Sequence, residues 1–261
     1  SDYATEIVRS GFPGIRGLTG RALRTRLDGY LARVIDRDIT DELGRPVRRP
    51  DTLRRWLTAY AASTATTTSL EKIRDAASAG DATPAKTTTL HYRDALTRLF
   101  ILDPLDGWLP THRQLRRTGQ APKHHLVDPA LTAALLGLDE RMLLAGASSA
   151  RGGAILGPLF ESLACLCVRV YAQRAEARVR HLRTRAGEHE IDLIVERRDG
   201  RIVALEVKLA QTVDDDDVKH LLWLREQLGE SLCDTVVLTT GPRAYRRADG
   251  VAVVPLGLLG P

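Results

Sequence analysis

The sequence has few cysteines and no long apolar segment, and each shortage excludes a class of structure. Its 261 residues include 3 Cys, with no CxxC pair, so neither a zinc site nor a disulfide framework is expected. No apolar run approaches the roughly 18–20 residues that a membrane span requires, and no basic and apolar leader opens the chain. We therefore expect a cytoplasmic protein with no membrane partner.

Lysine is also scarce. Of the 38 Lys and Arg residues only 5 are lysine, a ratio typical of a GC-rich bacterial genome, so most arginines are expected on solvated faces and each lysine is more informative than usual. The net charge of +5 and pI of about 9.3 permit DNA binding without requiring it. No GxxxxGK[ST] phosphate loop occurs, so the chain itself carries no standard ATP site.

The first part of the chain has the periodicity of helices. Apolar residues recur at helical spacing over 21–42, 51–62, from Ser69 onward, and over 84–99. Residues 100–108 are predicted to form a strand, a turn and a strand. We interpret residues 51–147 as a winged helix-turn-helix that follows a helical segment, 1–50.

A recognition helix at 84–99 and the basic loop after it would supply the DNA contacts of such a module. The predicted nucleic-acid-binding residues are Lys86, Thr88, His91, Arg93, Arg113, Arg116 and Arg117, with Lys123 as a further backbone contact. Winged-helix folds also mediate protein contacts, so this alternative stays open.

After a small-residue boundary at 148–153 the pattern changes to mixed α/β. An apolar helix, three strands, a helix and two further strands are predicted over 153–261. The candidate catalytic residues lie in a predicted hairpin, residues 189–210. A three-residue turn ending with Gly200 in the left-handed conformation gives a uniformly apolar face, whereas a two-residue turn mixes apolar and charged groups. The first register pairs Ile191 with Val207, Leu193 with Leu205, and Val195 with Val203.

The same register places Asp192 opposite Glu206, and Glu190 opposite Lys208. Two carboxylates with an open side can hold Mg²⁺, which activates water for phosphodiester hydrolysis, and a nearby lysine can stabilise developing negative charge. The alternative is a solvated hairpin face, where cross-strand acid–base pairs contribute about 0.2–1 kcal/mol of stability.

Asp192 followed by Glu206-Val207-Lys208 resembles the PD-(D/E)xK nuclease signature, and Glu161 matches the helix glutamate that precedes it in that superfamily. The resemblance implies a restriction-endonuclease-like α/β domain with a mixed central sheet. It also implies Mg²⁺ ligation by Glu161, Asp192 and Glu206, and catalysis by Asp192, Glu206 and Lys208 with help from Glu190.

Further segments, in order, resemble the domain of unknown function 4143 over nearly the whole chain. These are Gly11-Phe12-Pro13, Tyr30-Leu31, Asp36-Arg37-Asp38-Ile39, Ser69-Leu70, Leu126-Val127-Asp128 and Phe160-Glu161. That family forms the C-terminal region of many bacterial and archaeal AAA-type ATPases. The resemblance implies that ATP is used only by a domain absent from this chain, with that domain and DNA as partners; a homo-oligomer is left open.

Three hypotheses remain: a Mg²⁺-dependent nuclease, a non-catalytic DNA- or protein-binding region that targets or regulates an ATPase, and a structural module.

Overall fold

The computed structural model describes residues 2–44, 46–47, 49–78, 83–109, 121–145, 153–184 and 187–260. It is a mixed α and β structure. The chain divides into two compact units: Ser1–Pro104 with His124–Ser162, and Leu105–Lys123 with Leu163–Pro261. The division at residues 50, 147 and 153 stays a prediction, and most of the 148–153 boundary lies outside the described residues.

The first unit is helical. Its helices are α1 (Asp2–Arg9), α2 (Gly20–Arg33), α3 (Ile39–Leu43), α4 (Pro50–Ala62), α5 (Leu70–Ala76), α6 (Lys86–Arg98), α7 (Pro129–Leu135) and α8 (Glu140–Ala145), with a π turn, Val34–Asp38, between α2 and α3. Local sequence explains several starts. Proline is favourable in the first turn of α4, and the Ser69 hydroxyl accepts a hydrogen bond from the Lys72 N–H at 3.3 Å to cap α5.

Aromatic and aliphatic side chains fill the core of this unit, with Trp56, Leu57 and Leu96 among its fully buried members. The buried Asp128 carboxylate fixes the entry to α7. It accepts from the Ala130 N–H at 2.8 Å as an N-cap, and from the Ser10 hydroxyl at 2.6 Å and the Gly11 N–H at 2.8 Å. Two segments of the family resemblance, around Gly11 and Asp128, therefore meet in a structural contact.

Helix α9 (Gly153–Arg174) belongs to both units. By length and composition it is the one helix, within the described ranges, that could cross a membrane. About a third of its apolar window is buried in the protein, including Leu159, Phe160 and Cys165.

The second unit contains a six-stranded mixed sheet. Its elements are β1 (Arg178–Arg183), β2 (Glu190–Glu196), β3 (Ile202–Val207), α10 (Asp215–Leu228), β4 (Leu232–Thr239), β5 (Tyr245–Arg246) and β6 (Ala252–Pro255), in the sheet order β1-β2-β3-β4-β6-β5. Strands β1 to β3 form an antiparallel meander, β4 and β6 continue parallel to β3, and β5 is antiparallel to β6. The predicted order of a helix, three strands and a helix is confirmed, and the two strands predicted after it correspond to β4 and β6; the short strand β5 was not predicted.

Helix α10 covers one face of this sheet. Its N-terminus has a capping box, in which Asp214 and Asp217 each accept the other's backbone N–H at 3.1 Å. Its apolar stripe, including Leu221 and Leu224, shares a buried cluster with Ile194 and Ala204 of the sheet. Asp192 and Glu206 therefore lie on the same face of the sheet as Ile194 and Ala204, where the face becomes apolar and is covered by α10.

The predicted strand, turn and strand at residues 100–108 is wrong. Leu102 forms an isolated bridge with Leu126, and Leu105 forms one with Lys123. Because Leu102 and Leu105 pair with Leu126 and Lys123 and not with each other, residues 100–108 form no hairpin.

Candidate functional site

The hairpin of β2 and β3 has the predicted register. Leu193 pairs with Leu205 and Val195 with Val203. The turn is set by Gly200, whose φ of +79° is the left-handed conformation that L side chains disfavour. Its N–H donates to the Arg197 carbonyl at 3.0 Å, so the three-residue turn is confirmed.

The backbone pairing between β2 and β3 ends at Leu193 and Leu205, one residue before Asp192. In a continued ladder the next hydrogen-bonded pair after Leu193 and Leu205 would be Ile191 and Val207. The Val207 N–H instead donates to Asp192 Oδ2 at 2.9 Å, so the predicted Ile191–Val207 pair is replaced by a side-chain contact. The Asp192 carboxylate is thereby fixed between the two strands.

Lys123 occupies the centre of the predicted acidic patch. Its side chain is 1% exposed, and its Nζ lies 2.8 Å from Asp192 Oδ1 and 3.1 Å from Glu190 Oε1. Backbone bonds to Leu105, at 2.9 Å in both directions, hold Lys123 in place. The expectation that Lys123 contacts a DNA backbone is therefore wrong, because its ammonium is buried against protein carboxylates.

The two central carboxyl groups have opposite shifts in pKa. Burial alone would raise the pKa of Asp192, but the Lys123 ammonium and the Val207 N–H lower it below its ordinary value. Burial and the neighbouring Asp192 carboxylate raise the pKa of Glu206 well above its ordinary range. The surroundings therefore favour the charged form of Asp192 and the neutral form of Glu206.

Lys208 lies at the rim of the cluster. Its Nζ is 4.0 Å from Glu206 Oε2 and 3.6 Å from Asp217 Oδ1, and about a third of its side chain is exposed. Glu206 Oε1 is buried and makes no hydrogen bond with any residue that the structure describes. Lys123 therefore joins Glu190 to Asp192, and Lys208 lies beside Glu206; the catalytic roles of these residues stay predictions.

The arrangement does not fit a bound Mg²⁺. Both Asp192 oxygens have hydrogen-bond donors, one of them the Lys123 ammonium, whose positive charge opposes a cation at the same oxygen. No group of three or more His, Cys, Asp or Glu side chains with metal-ligand geometry occurs in the described part of the chain. Glu161, the third expected ligand, lies on α9 in the first unit, and its role stays a prediction.

Two of the four expected DNA-contacting residues of α6, Lys86 and Arg93, form ion pairs. Lys86 lies 2.9 Å from Glu71, Arg93 lies 2.6 Å from Asp94, and His91 is exposed while Thr88 is half-buried. Neutralised cations attract phosphate less strongly. Arg113, Arg116 and Arg117 lie outside the described residues.

A second surface has a different character. A groove of about 1040 Å³ runs along α2. Its lining is mostly apolar or small, including Phe12, Ile15, Leu18, Ala22, Gly29 and Tyr30. Arg21 and Arg26 line it as well, and neither forms an ion pair with any residue in the described ranges. The groove combines apolar surface with uncompensated positive charge.

Comparison with known families divides the chain in two. Residues 156–259 match the family described as Domain of unknown function (DUF4143), so the expected resemblance holds for the second part of the chain and not for nearly all of it. Neither a curated protein nor a solved structure matches the chain. Residues 1–142, more than half of the 261 residues, match the family described as Domain of unknown function (DUF8612), and the chain belongs to that family.

Proposed function

We propose that this chain is a non-catalytic binding region of a larger protein that carries an AAA-type ATPase domain. The observation that carries this proposal is the buried ion pair between Lys123 and Asp192, at 2.8 Å. A nuclease of the PD-(D/E)xK type needs the aspartate oxygens for a metal ion. Here an ammonium holds one of them, and the backbone of β3 holds the other.

The groove along α2 supports a protein segment as the bound partner. Apolar lining favours the apolar face of an amphipathic helix, and the arginines favour acidic residues beside that face. The small residues Ala22 and Gly29 allow a helix backbone to approach α2 closely. Double-stranded DNA offers no apolar face of this kind, and the ion-paired α6 offers it little free charge.

Binding can be measured by fluorescence anisotropy with two probes: a labelled helical peptide with leucines on one face and glutamates beside them, and a labelled DNA duplex. We expect the peptide to bind, and the charge reversal Arg26→Glu to weaken it at least about tenfold, or about 1.4 kcal/mol. Arg54→Glu, an exposed arginine of α4 outside the groove lining, is the matched control and leaves affinity unchanged. DNA binding that survives Arg26→Glu, with no peptide binding, overturns the docking proposal.

A Mg²⁺-dependent nuclease is the second candidate. It is favoured by the assembly of Asp192, Glu206 and Lys208 at one end of the sheet, with Glu206 Oε1 lacking a partner among the described residues. Incubating the protein with single- and double-stranded DNA in Mg²⁺ or Mn²⁺, beside Lys208→Ala, separates the candidates. Cleavage by the wild type that is lost in Lys208→Ala establishes the nuclease and refutes the non-catalytic proposal.

A further inference from the structure

The cluster around Asp192 has the composition of a cation site. The carboxyl groups of Glu190 and Asp192 converge on one ammonium, at 3.1 Å and 2.8 Å. Glu206 is 5% exposed, and its Oε1 has no hydrogen-bond partner among the residues described. A buried polar oxygen without a partner costs free energy, and such atoms are rare unless a ligand or water completes them.

Backbone hydrogen bonds hold Lys123 in the cluster, in addition to its ion pairs. Strand-like hydrogen bonds to Leu105 fix its main chain, and its side chain is buried along its whole length. An ammonium removed from water keeps its charge only where anions compensate it. Asp192 and Glu190 supply that compensation, so the positive charge at this position is part of the fold.

An ammonium and a divalent cation compete for the same lone pairs. Mg²⁺ and Mn²⁺ bind carboxylate oxygens at about 2.0–2.3 Å, so neither can reach Asp192 Oδ1 while Nζ lies there. We propose that Lys123 occupies the place of a divalent cation in this cluster, and that shortening its side chain frees Asp192 Oδ1 and Glu190 Oε1 to bind a metal ion. This inference rests on the proposed non-catalytic function, since it makes the native site metal-free.

Glu190 is the most exposed carboxylate of the cluster. More than a third of its side chain is exposed, whereas Asp192 and Glu206 are buried behind it. An ion arriving from solvent would meet Glu190 first. Removing Lys123 also removes the positive charge that opposes entry of the ion.

The test compares Mn²⁺ binding by the wild type and by Lys123→Ala, measured by electron paramagnetic resonance of free Mn²⁺ and by the shift of Tm on adding Mn²⁺. We expect no site-specific binding by the wild type and at least about tenfold tighter binding by the variant, with a Tm that rises with Mn²⁺. Lys219→Ala, an exposed lysine paired with Asp216, is the matched control and keeps wild-type behaviour. Lys123→Ala combined with Asp192→Asn is expected to lose the gain.

Lys123→Gln covers the case in which the alanine variant fails to fold, because the neutral amide fills more of the buried space than alanine and competes with a metal ion less strongly than an ammonium does. Circular dichroism establishes folding, and a folded glutamine variant must bind Mn²⁺ more tightly than the wild type. Specific Mn²⁺ binding by the wild type, or none by any folded Lys123 variant, overturns the inference. DNA cleavage by the wild type refutes the proposed function through a separate readout, so the two failures are distinguishable.

Discussion

Replacing Asp192 by asparagine tests the electrostatic account of the second unit most directly. The amide keeps an oxygen that can accept from the Val207 N–H, but it turns an NH₂ group or a neutral oxygen toward the Lys123 ammonium. Lys123 is 1% exposed, so water cannot replace the lost charge. Breaking one partner of a buried pair costs about 3–5 kcal/mol. Because Glu190 remains at 3.1 Å, we expect the lower end, about 3 kcal/mol.

The assay is urea unfolding followed by circular dichroism, with hydrogen exchange of peptides from β2 and β3 to assign the loss to the second unit. Asp216→Asn is the control: this carboxylate is 3.3 Å from Lys219, both side chains are more than half exposed, and the cost should stay below about 1 kcal/mol. Lys123→Met completes a double-mutant cycle with Asp192→Asn. A coupling energy near zero, or equal costs at Asp192 and Asp216, would refute the reasoning.

The pH dependence supplies an independent check. The folded-state pKa of Asp192 lies below its unfolded value of 3.8, so its stabilisation is complete above that value and is lost as the pH falls through the folded pKa. The difference in stability between the wild type and Asp192→Asn should therefore shrink on acidification below pH 3.8. A difference that stays constant to strongly acid pH contradicts the assignment of Asp192 as the ionised partner.

Three further predictions concern single side chains. The folded-state pKa of Glu206 is raised above its unfolded value of 4.5, so wild-type stability should fall as the pH rises from there through the folded pKa, and Glu206→Gln should flatten this decline in unfolding curves measured across pH. Gly200→Ala places an L side chain at a φ of +79° and should cost about 1 kcal/mol in urea unfolding. Asp214→Ala removes the α10 cap and should also cost about 1 kcal/mol, with Asp216→Ala, outside the capping box, as the smaller comparison.

The sequence was sufficient to predict the register of the β2–β3 hairpin, because that register depends on residues close together in the chain. Alternating apolar residues and Asp199-Gly200 select one register, and that register alone places Asp192 near Glu206. Lys123 was missed because it lies 69 residues from Asp192, in a basic segment without periodicity. Its signal was compositional: it is one of 5 lysines in the chain. The Lys86–Glu71 ion pair was missed for the same reason, since Glu71 belongs to another helix.

The Asp192–Glu206–Lys208 motif does not determine whether a metal ion or a lysine compensates the negative charge of its carboxylates. Two carboxylates at the end of an apolar, helix-covered face of a sheet need a compensating positive charge. A buried anion without a partner would cost too much free energy. A metal ion does this in a nuclease, and a lysine from a distant part of the chain does it here at 2.8 Å. Both solutions leave the same motif in β2 and β3. We therefore expect a chain that has this motif but a short side chain in place of Lys123 to bind metal at these carboxylates.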